Sequence, residues 1–221
     1  MTDYDKFAKE YAKQTEAMEK KVRKHFYSLI SESLESKVVL DVGCGSGHDA
    51  EYYAKNKAQV YGIDIANEQI RMSSEKDCGK FTVGDMNKLP YPSNYFDMVM
   101  SVYALQISKV VPGALNEMVR VAKPGATILF SSKHPIRNLL EGHVNDGNSD
   151  YFAKRDVTSY IFNRTIKLTE PGHTMMEYLN SSILSKASLV LFEEHTDFPA
   201  SEQVIPGMNY PTFMILKYVK K

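Results

Sequence analysis

The chain predicts an α/β fold, a mainly parallel sheet with helices on both faces, and two observations lead there. From residue 37 onward, short β-branched or apolar runs alternate with segments whose apolar residues recur every three or four positions. That alternation is the pattern of strand–helix–strand units. The first run, Val38-Val39-Leu40-Asp41-Val42, ends in Gly43-Cys44-Gly45-Ser46-Gly47, with glycine at every second position before a helix-compatible stretch. Glycines there accept positive φ and admit a ligand close to the backbone, whose amides at the helix start face it.

The elements follow in order. Residues 4–15 and 16–36 carry helical apolar spacing, the second through Met18, Val22, Phe26, Leu29, Ile30 and Leu34, and are expected to cap one sheet face. Strands are expected at 37–42, 59–64, 80–83, 96–103 and 126–132, with helices at 47–57, 67–76 and 109–122 between them. Lys123-Pro124-Gly125 reads as the stop after the last of these helices. Residues 133–172 break the alternation; they are rich in Asn, Asp, Gly and aromatics, with strand-like alternation only at 158–167, and irregular chain of that length is usually functional. A helix at 174–186, a strand at 189–195, a loop at 199–210 and a strand at 211–219 complete the reading.

Bulk properties narrow the class. A chain of 221 residues, 43% hydrophobic and 24% charged, suits one globular domain with an ample core. Lys+Arg 27 against Asp+Glu 27 leaves no net charge, which argues against a partner such as nucleic acid, bound by neutralising phosphates. No apolar run is long enough to span a bilayer, and Met1-Thr2-Asp3-Tyr4-Asp5-Lys6 lacks the order of a signal peptide, so a cytoplasmic protein without a membrane partner is expected. Cys44 and Cys78 show no metal spacing; reduced thiols and no metal are expected.

The glycine turn alone suits a dinucleotide or S-adenosylmethionine. A dinucleotide fingerprint places a glycine five positions after the first, and His48 stands there. The order Asp41-Val42-Gly43-Cys44-Gly45-Ser46-Gly47, with Asp64 closing the next strand and Gly84-Asp85 the third, resembles the class I S-adenosylmethionine-dependent methyltransferases. Two further segments carry the resemblance: Leu89-Pro90-Tyr91 leading to Phe96-Asp97, and Glu117-Met118-Val119-Arg120-Val121-Ala122-Lys123-Pro124-Gly125. The subgroup it looks like is the small-molecule (methyltransferase type 11-like) enzymes, although Gly172-His173-Thr174-Met175-Met176-Glu177-Tyr178-Leu179 matches their post-lid segment only loosely.

The resemblance implies a single methyltransferase domain over residues 1–221, with a helical cap at 1–36 and a lid insertion at 133–173. Its sheet would be Rossmann-like and seven-stranded, ordered 3-2-1-4-5-7-6 with the last strand antiparallel. It implies S-adenosyl-L-methionine as cofactor and S-adenosyl-L-homocysteine as product. Gly43, Cys44 and Gly45 would meet the methionine part and Asp41 its ammonium; Asp64 would take the ribose hydroxyls, Ile65 the adenine face, Asp85 and Met86 the adenine edge. Ser101, Val102 and Tyr103 would line the sulfonium, and Tyr11 would fold over the cofactor. Tyr4, Tyr151, Tyr160 and Glu177 are candidates for the acceptor's pocket.

Displacement at a methyl carbon on positive sulfur needs alignment first, worth about 7 to 11 kcal/mol, and a base only when the nucleophile must lose a proton. His134 and His173 are the candidates for that base. The expected reaction is methyl transfer to oxygen or nitrogen of a small metabolite by a monomer or homodimer. Methylation of a protein or RNA, a non-catalytic S-adenosylmethionine-binding module and, more distantly, a nicotinamide dehydrogenase are the competing readings.

Overall fold

The central strand is β1 (Val38–Val42), apolar enough to be covered on both faces. In the computed structural model, which describes residues 20–161, 166–197 and 203–221, it pairs in parallel with β2 (Gln59–Asp64) and β4 (Phe96–Val102). With β3 (Lys80–Val83), β5 (Ala122–Lys133), β8 (Ala187–His195) and β9 (Phe213–Lys220), these form one seven-stranded sheet ordered β3-β2-β1-β4-β5-β9-β8. Counting the strands of this sheet alone, that is the expected 3-2-1-4-5-7-6, and β9 runs antiparallel to both neighbours.

Alternate residues of each strand feed two core layers. Leu40 and Val42 join Ile63, Phe96 and Phe130 on one face, packed by α4 (Val111–Val121) through Leu115 and Met118. Val39 joins Val60, Met98 and Met100 on the other, covered by α1 (Lys20–Ser28) through Val22 and Phe26 and by α2 (His48–Lys55) through Ala50 and Tyr53. By the same period-two rule Asp41 shares the face of Val39. Helix α3 (Asn67–Ser74) connects β2 to β3.

Four elements differ from expectation. The helix expected at 16–36 ends at Ser28 among the described residues, because the chain must reverse to enter β1 and does so through Ser36 at φ 62°. Lys123-Pro124-Gly125 does not delay β5; the strand starts at Ala122 and absorbs the tripeptide as an irregularity opposite Phe96 and Met98. Residues 133–172 are mostly regular: α5 (Pro135–Asp146) is followed by an antiparallel pair, β6 (Asp156–Ile161) and β7 (Ile166–Pro171). The helix expected at 174–186 is broken at Leu179-Asn180 into α6 (Met175–Tyr178) and α7 (Ser181–Lys186), Asn180 capping the second by accepting a hydrogen bond from the Ile183 amide. No helix among the described residues is long and apolar enough to cross a membrane.

Candidate active site

The glycine turn lies where β1 delivers the chain to α2, at the carboxyl end of the parallel strands, where open α/β sheets bind ligands. Gly43, Gly45 and Gly47 all have positive φ, 72°, 51° and 79°. Gly43 is further constrained by space: a Cβ there would stand 2.1 Å from that of Ala104, just beyond β4. The Gly43 and Cys44 amides both donate to the Ile63 carbonyl (2.7 and 3.1 Å), which ties the turn to β2.

Asp64, the last residue of β2, reaches across this turn. One carboxylate oxygen accepts from the Gly45 amide and the other from the Ala66 amide, both at 2.9 Å. The carboxylate is thereby fixed along the rim of the turn. Beside it Ile65 is 48% exposed, an apolar face at the start of the loop. At the next strand end Asp85 is exposed and accepts from the Asn87 amide (2.8 Å), a turn geometry that fixes it beside the half-buried Met86.

Asp41 is buried, and its Oδ2 has no hydrogen-bond partner among the described residues. Burial, then the nearby Asp49 carboxylate, hold its pKa well above the ordinary carboxyl value, Asp64 adding to the effect and Arg23 opposing it. Asp49 itself is neutralised: Arg23 grips it through Nε and Nη2 (2.9 and 3.1 Å) and the Tyr27 hydroxyl donates at 2.5 Å. The buried Gln69 Oε1 next to Gly45 is likewise without a partner. A buried acceptor with no donor costs about 1–3 kcal/mol, so both oxygens favour an incoming hydrogen-bond donor.

Residues 40–130 match the family model described as a methyltransferase domain. Residues 40–130 thus carry the methyltransferase domain of the class I S-adenosylmethionine-dependent enzymes. It is 37% identical over 109 residues to ajmaline N-methyltransferase of Rauvolfia serpentina, covering 46% of this chain and 37% of that protein. It is 32% identical over 95 residues to malonyl-[acyl-carrier protein] O-methyltransferase of Pectobacterium atrosepticum, covering 42% of this chain and 38% of that one. The chain thus spans under two fifths of the length of either relative. The magnesium protoporphyrin IX methyltransferase of Synechocystis, solved with S-adenosylhomocysteine bound, shares the fold with TM-score 0.63 and 16% identity over 92% of this chain and 83% of its own. S-adenosylmethionine is the cofactor of the family, and the unpaired Asp41 oxygen, the glycine turn and the Asp64 rim fit its ammonium, carboxylate and ribose.

Methyltransferase motif residues that carried only a resemblance in the sequence have mechanical roles in the structure. Glu117 Oε2 accepts from the Leu89 amide (2.9 Å), while Arg120 donates to the Leu89 and Tyr91 carbonyls (3.0 and 2.8 Å) and to Glu117. Helix α4 thus clasps the segment entering β4. Asp97 accepts from the Val38 amide (2.9 Å) and from Lys123 Nζ (2.7 Å), joining the entries of β1, β4 and β5. Cys44 is buried, and burial raises its thiol pKa, so it is inert packing.

The remaining predicted positions divide. Ser101 donates to the Val42 carbonyl (2.8 Å) from full burial, a tie between strands β4 and β1. Tyr103 adopts φ 52°, uncommon for a non-glycine residue, and its hydroxyl donates to Asp197 at 3.2 Å. His134 caps α5: Nδ1 accepts from the Ile136 amide (3.0 Å), so Nε2 carries the proton it gives to Glu194 (2.8 Å). Burial lowers its pKa against the pull of Glu194, and both nitrogens are engaged. His173 donates through Nε2 to the Gln106 carbonyl (2.9 Å) and turns Nδ1 to Glu177 (3.3 Å). Glu177 closes a capping box with Thr174 at the start of α6. Tyr151 accepts from the Met175 amide (2.7 Å) and lines, with His173, Asn138, Asn148 and Gly172, a small cavity beneath α5. Tyr160 is half-buried on β6. Tyr4 and Tyr11 lie outside the described residues.

The sequence reading missed a buried ion cluster that anchors the segment after β5. Lys133 Nζ donates to Glu141 (2.9 Å), to the Ser159 hydroxyl (2.8 Å) and to Glu170; Arg137 Nε donates to Glu141 (2.9 Å). Burial would raise the Glu141 pKa, but Lys133 and Arg137 outweigh it and hold it at about 2. The only signal in the sequence was the spacing of Arg137 and Glu141, one helical turn apart; the other partners come from β5, β6 and β7.

Proposed function

We propose that this chain moves a methyl group from S-adenosylmethionine to oxygen or nitrogen of a small metabolite by in-line displacement. The observation that supports it most is the buried, unpartnered Asp41 oxygen beside the glycine turn, which gains its missing donor when an ammonium binds there. The cofactor supplies a methyl group on positively charged sulfur. Asp64 orients the ribose, Ile65 packs on the adenine and Asp85 takes its exocyclic amine. Val102 and Tyr103, at the end of β4, border the reacting atoms, and Asp41 and Asp64 make the local field attractive to the cation.

A small acceptor is favoured by the segment of residues 133–173, which lays α5 and the β6–β7 pair beside the strand ends and borders a small cavity at Tyr151 and His173. Neutral overall charge argues against RNA. Positioning carries the rate, since His134 commits Nδ1 to capping α5 and Nε2 to Glu194, and His173 is held between Gln106 and Glu177. A cytoplasmic location and a monomeric or homodimeric state remain part of this reading.

The test uses methyl-labelled S-adenosylmethionine with a cell extract of the source organism, separated into small-molecule, protein and RNA fractions. Label is expected in the small-molecule fraction with S-adenosylhomocysteine released. Label confined to protein or RNA, or cofactor binding without turnover on any fraction, overturns the proposal.

A further inference from the structure

At the free edge of the sheet, β8 presents Glu193 and His195 two residues apart on one face, while Glu194 between them points the other way to His134. Helix α1 brings His25 onto the same spot. Nε2 of His25 lies 2.6 Å and Nε2 of His195 2.8 Å from the same oxygen, Oε2 of Glu193. One ligand atom from each residue falls within 4.8 Å of the others. The imidazole rings meet edge to face at 4.9 Å, so both nitrogens aim at one point instead of the rings stacking on each other.

The mounts are rigid. His195 lies flat on Phe213 (5.1 Å, 18° between planes), and α1 is fixed to α2 by the two-pronged Arg23–Asp49 pair. The side chains of His25, Glu193 and His195 keep 39%, 27% and 33% exposure, which leaves an ion a path from solvent. Two imidazoles and one carboxylate are a donor set suited to zinc, whose bonds of about 2.0–2.2 Å to nitrogen and oxygen hold neighbouring tetrahedral ligands about 3.3 Å apart. Moving each nitrogen back by roughly half an ångström opens that space. No sequence spacing announces the site, because His25 and Glu193 are 168 residues apart.

We propose that His25, Glu193 and His195 form a binding site for a divalent transition-metal ion, with zinc the best fit, through two Nε2 atoms and one carboxylate oxygen. Solvent completes the coordination. The ion clamps α1 to β8, and since α1 also holds Asp49 beside the glycine turn, it braces the cap against the sheet. The site does not depend on the methyl-transfer reading.

The intact chain, stripped with a chelator and dialysed, is titrated with zinc chloride by calorimetry and by thermal melting. One equivalent is expected to bind in the cluster, and zinc at about a hundredfold its dissociation constant to raise Tm by roughly 5–10 °C. His25→Ala and His195→Ala are each expected to lose at least tenfold in affinity, while His143→Ala, on α5 away from the cluster, keeps it. Should either alanine variant fail to fold, Glu193→Gln, which preserves shape, decides by the same loss. Absence of zinc binding to the unaltered chain, or equal binding in the cluster variants, overturns the site.

Discussion

Two regions of this protein bury carboxylates, and they treat them in opposite ways. After β5, Glu141 and Glu170 share Lys133 and Ser159, Glu141 also takes Arg137, and every charge meets an opposite charge or a hydroxyl. Beside the glycine turn, Asp41 is equally buried, yet one of its oxygens meets nothing among the described residues. The first arrangement is complete without a ligand and acts as architecture, pinning α5 and the β6–β7 pair to the end of β5. The second is incomplete among the described residues, and in the proposed function its missing partner is the ammonium of the cofactor. Satisfaction of buried charge, more than its presence, separates scaffold from site.

The sharpest way to break the contrast is Lys133→Met. It takes the lysine from Glu170 and leaves Glu141 to Arg137, and removing one partner of a buried ion pair costs about 3–5 kcal/mol; chemical denaturation reads the loss, and a change below about 1 kcal/mol would demote the cluster to ornament. Acid should act on the same cluster from the other side. The folded Glu141 pKa of about 2 lies below its ordinary value of 4.5, so its contribution is present above pH 4.5 and lost as pH falls towards 2. That contribution is about 3 kcal/mol by linkage. Unfolding free energy measured between pH 5 and pH 3 should fall, and Glu141→Gln should flatten the slope.

At the site the effects are smaller and fall on binding. Asp64→Ala is expected to weaken S-adenosylhomocysteine affinity roughly tenfold to a hundredfold, the loss of charged hydrogen bonds worth about 1.5–3 kcal/mol. Unchanged calorimetric affinity in the folded variant refutes the rim assignment. Asp41→Asn should separate stability from function. A carboxyl whose folded pKa is raised binds its proton more tightly than in the unfolded chain, so its ionisation at neutral pH works against the fold. The asparagine variant should therefore melt higher without cofactor, by roughly 2–4 °C for each kcal/mol relieved, and bind S-adenosylhomocysteine more weakly. A lower melting point would mean that Asp41 is structural.

How much of this was legible in the sequence follows from the range of the interactions. Strands β1 to β4 and their helices stood out because apolar periodicity is local, and the glycine turn because positive φ selects its residue type. The segment after β5 reads as irregular in the sequence because α5 is polar at many buried positions: Glu141 is met there by Lys133, Ser159 and Arg137, and Asn138 by the Pro171 carbonyl. Asp41 and Asp64 could be named from their places at strand ends. That Asp49 is paired with Arg23 while Asp41 is not required the packing of α1, and neither the cap made by His134 nor the partners of His173 show in their neighbours along the chain.

The placement of β9 bears on how the protein is made. It is inserted between β5 and β8, although it follows both in the chain. Until β9 inserts, the nine residues of β8 have no strand to join, and an unpaired strand rich in Leu, Val and Phe is open to the same segment of a neighbouring chain. The last two strands of the sheet therefore close together, when β9 threads between β5 and β8.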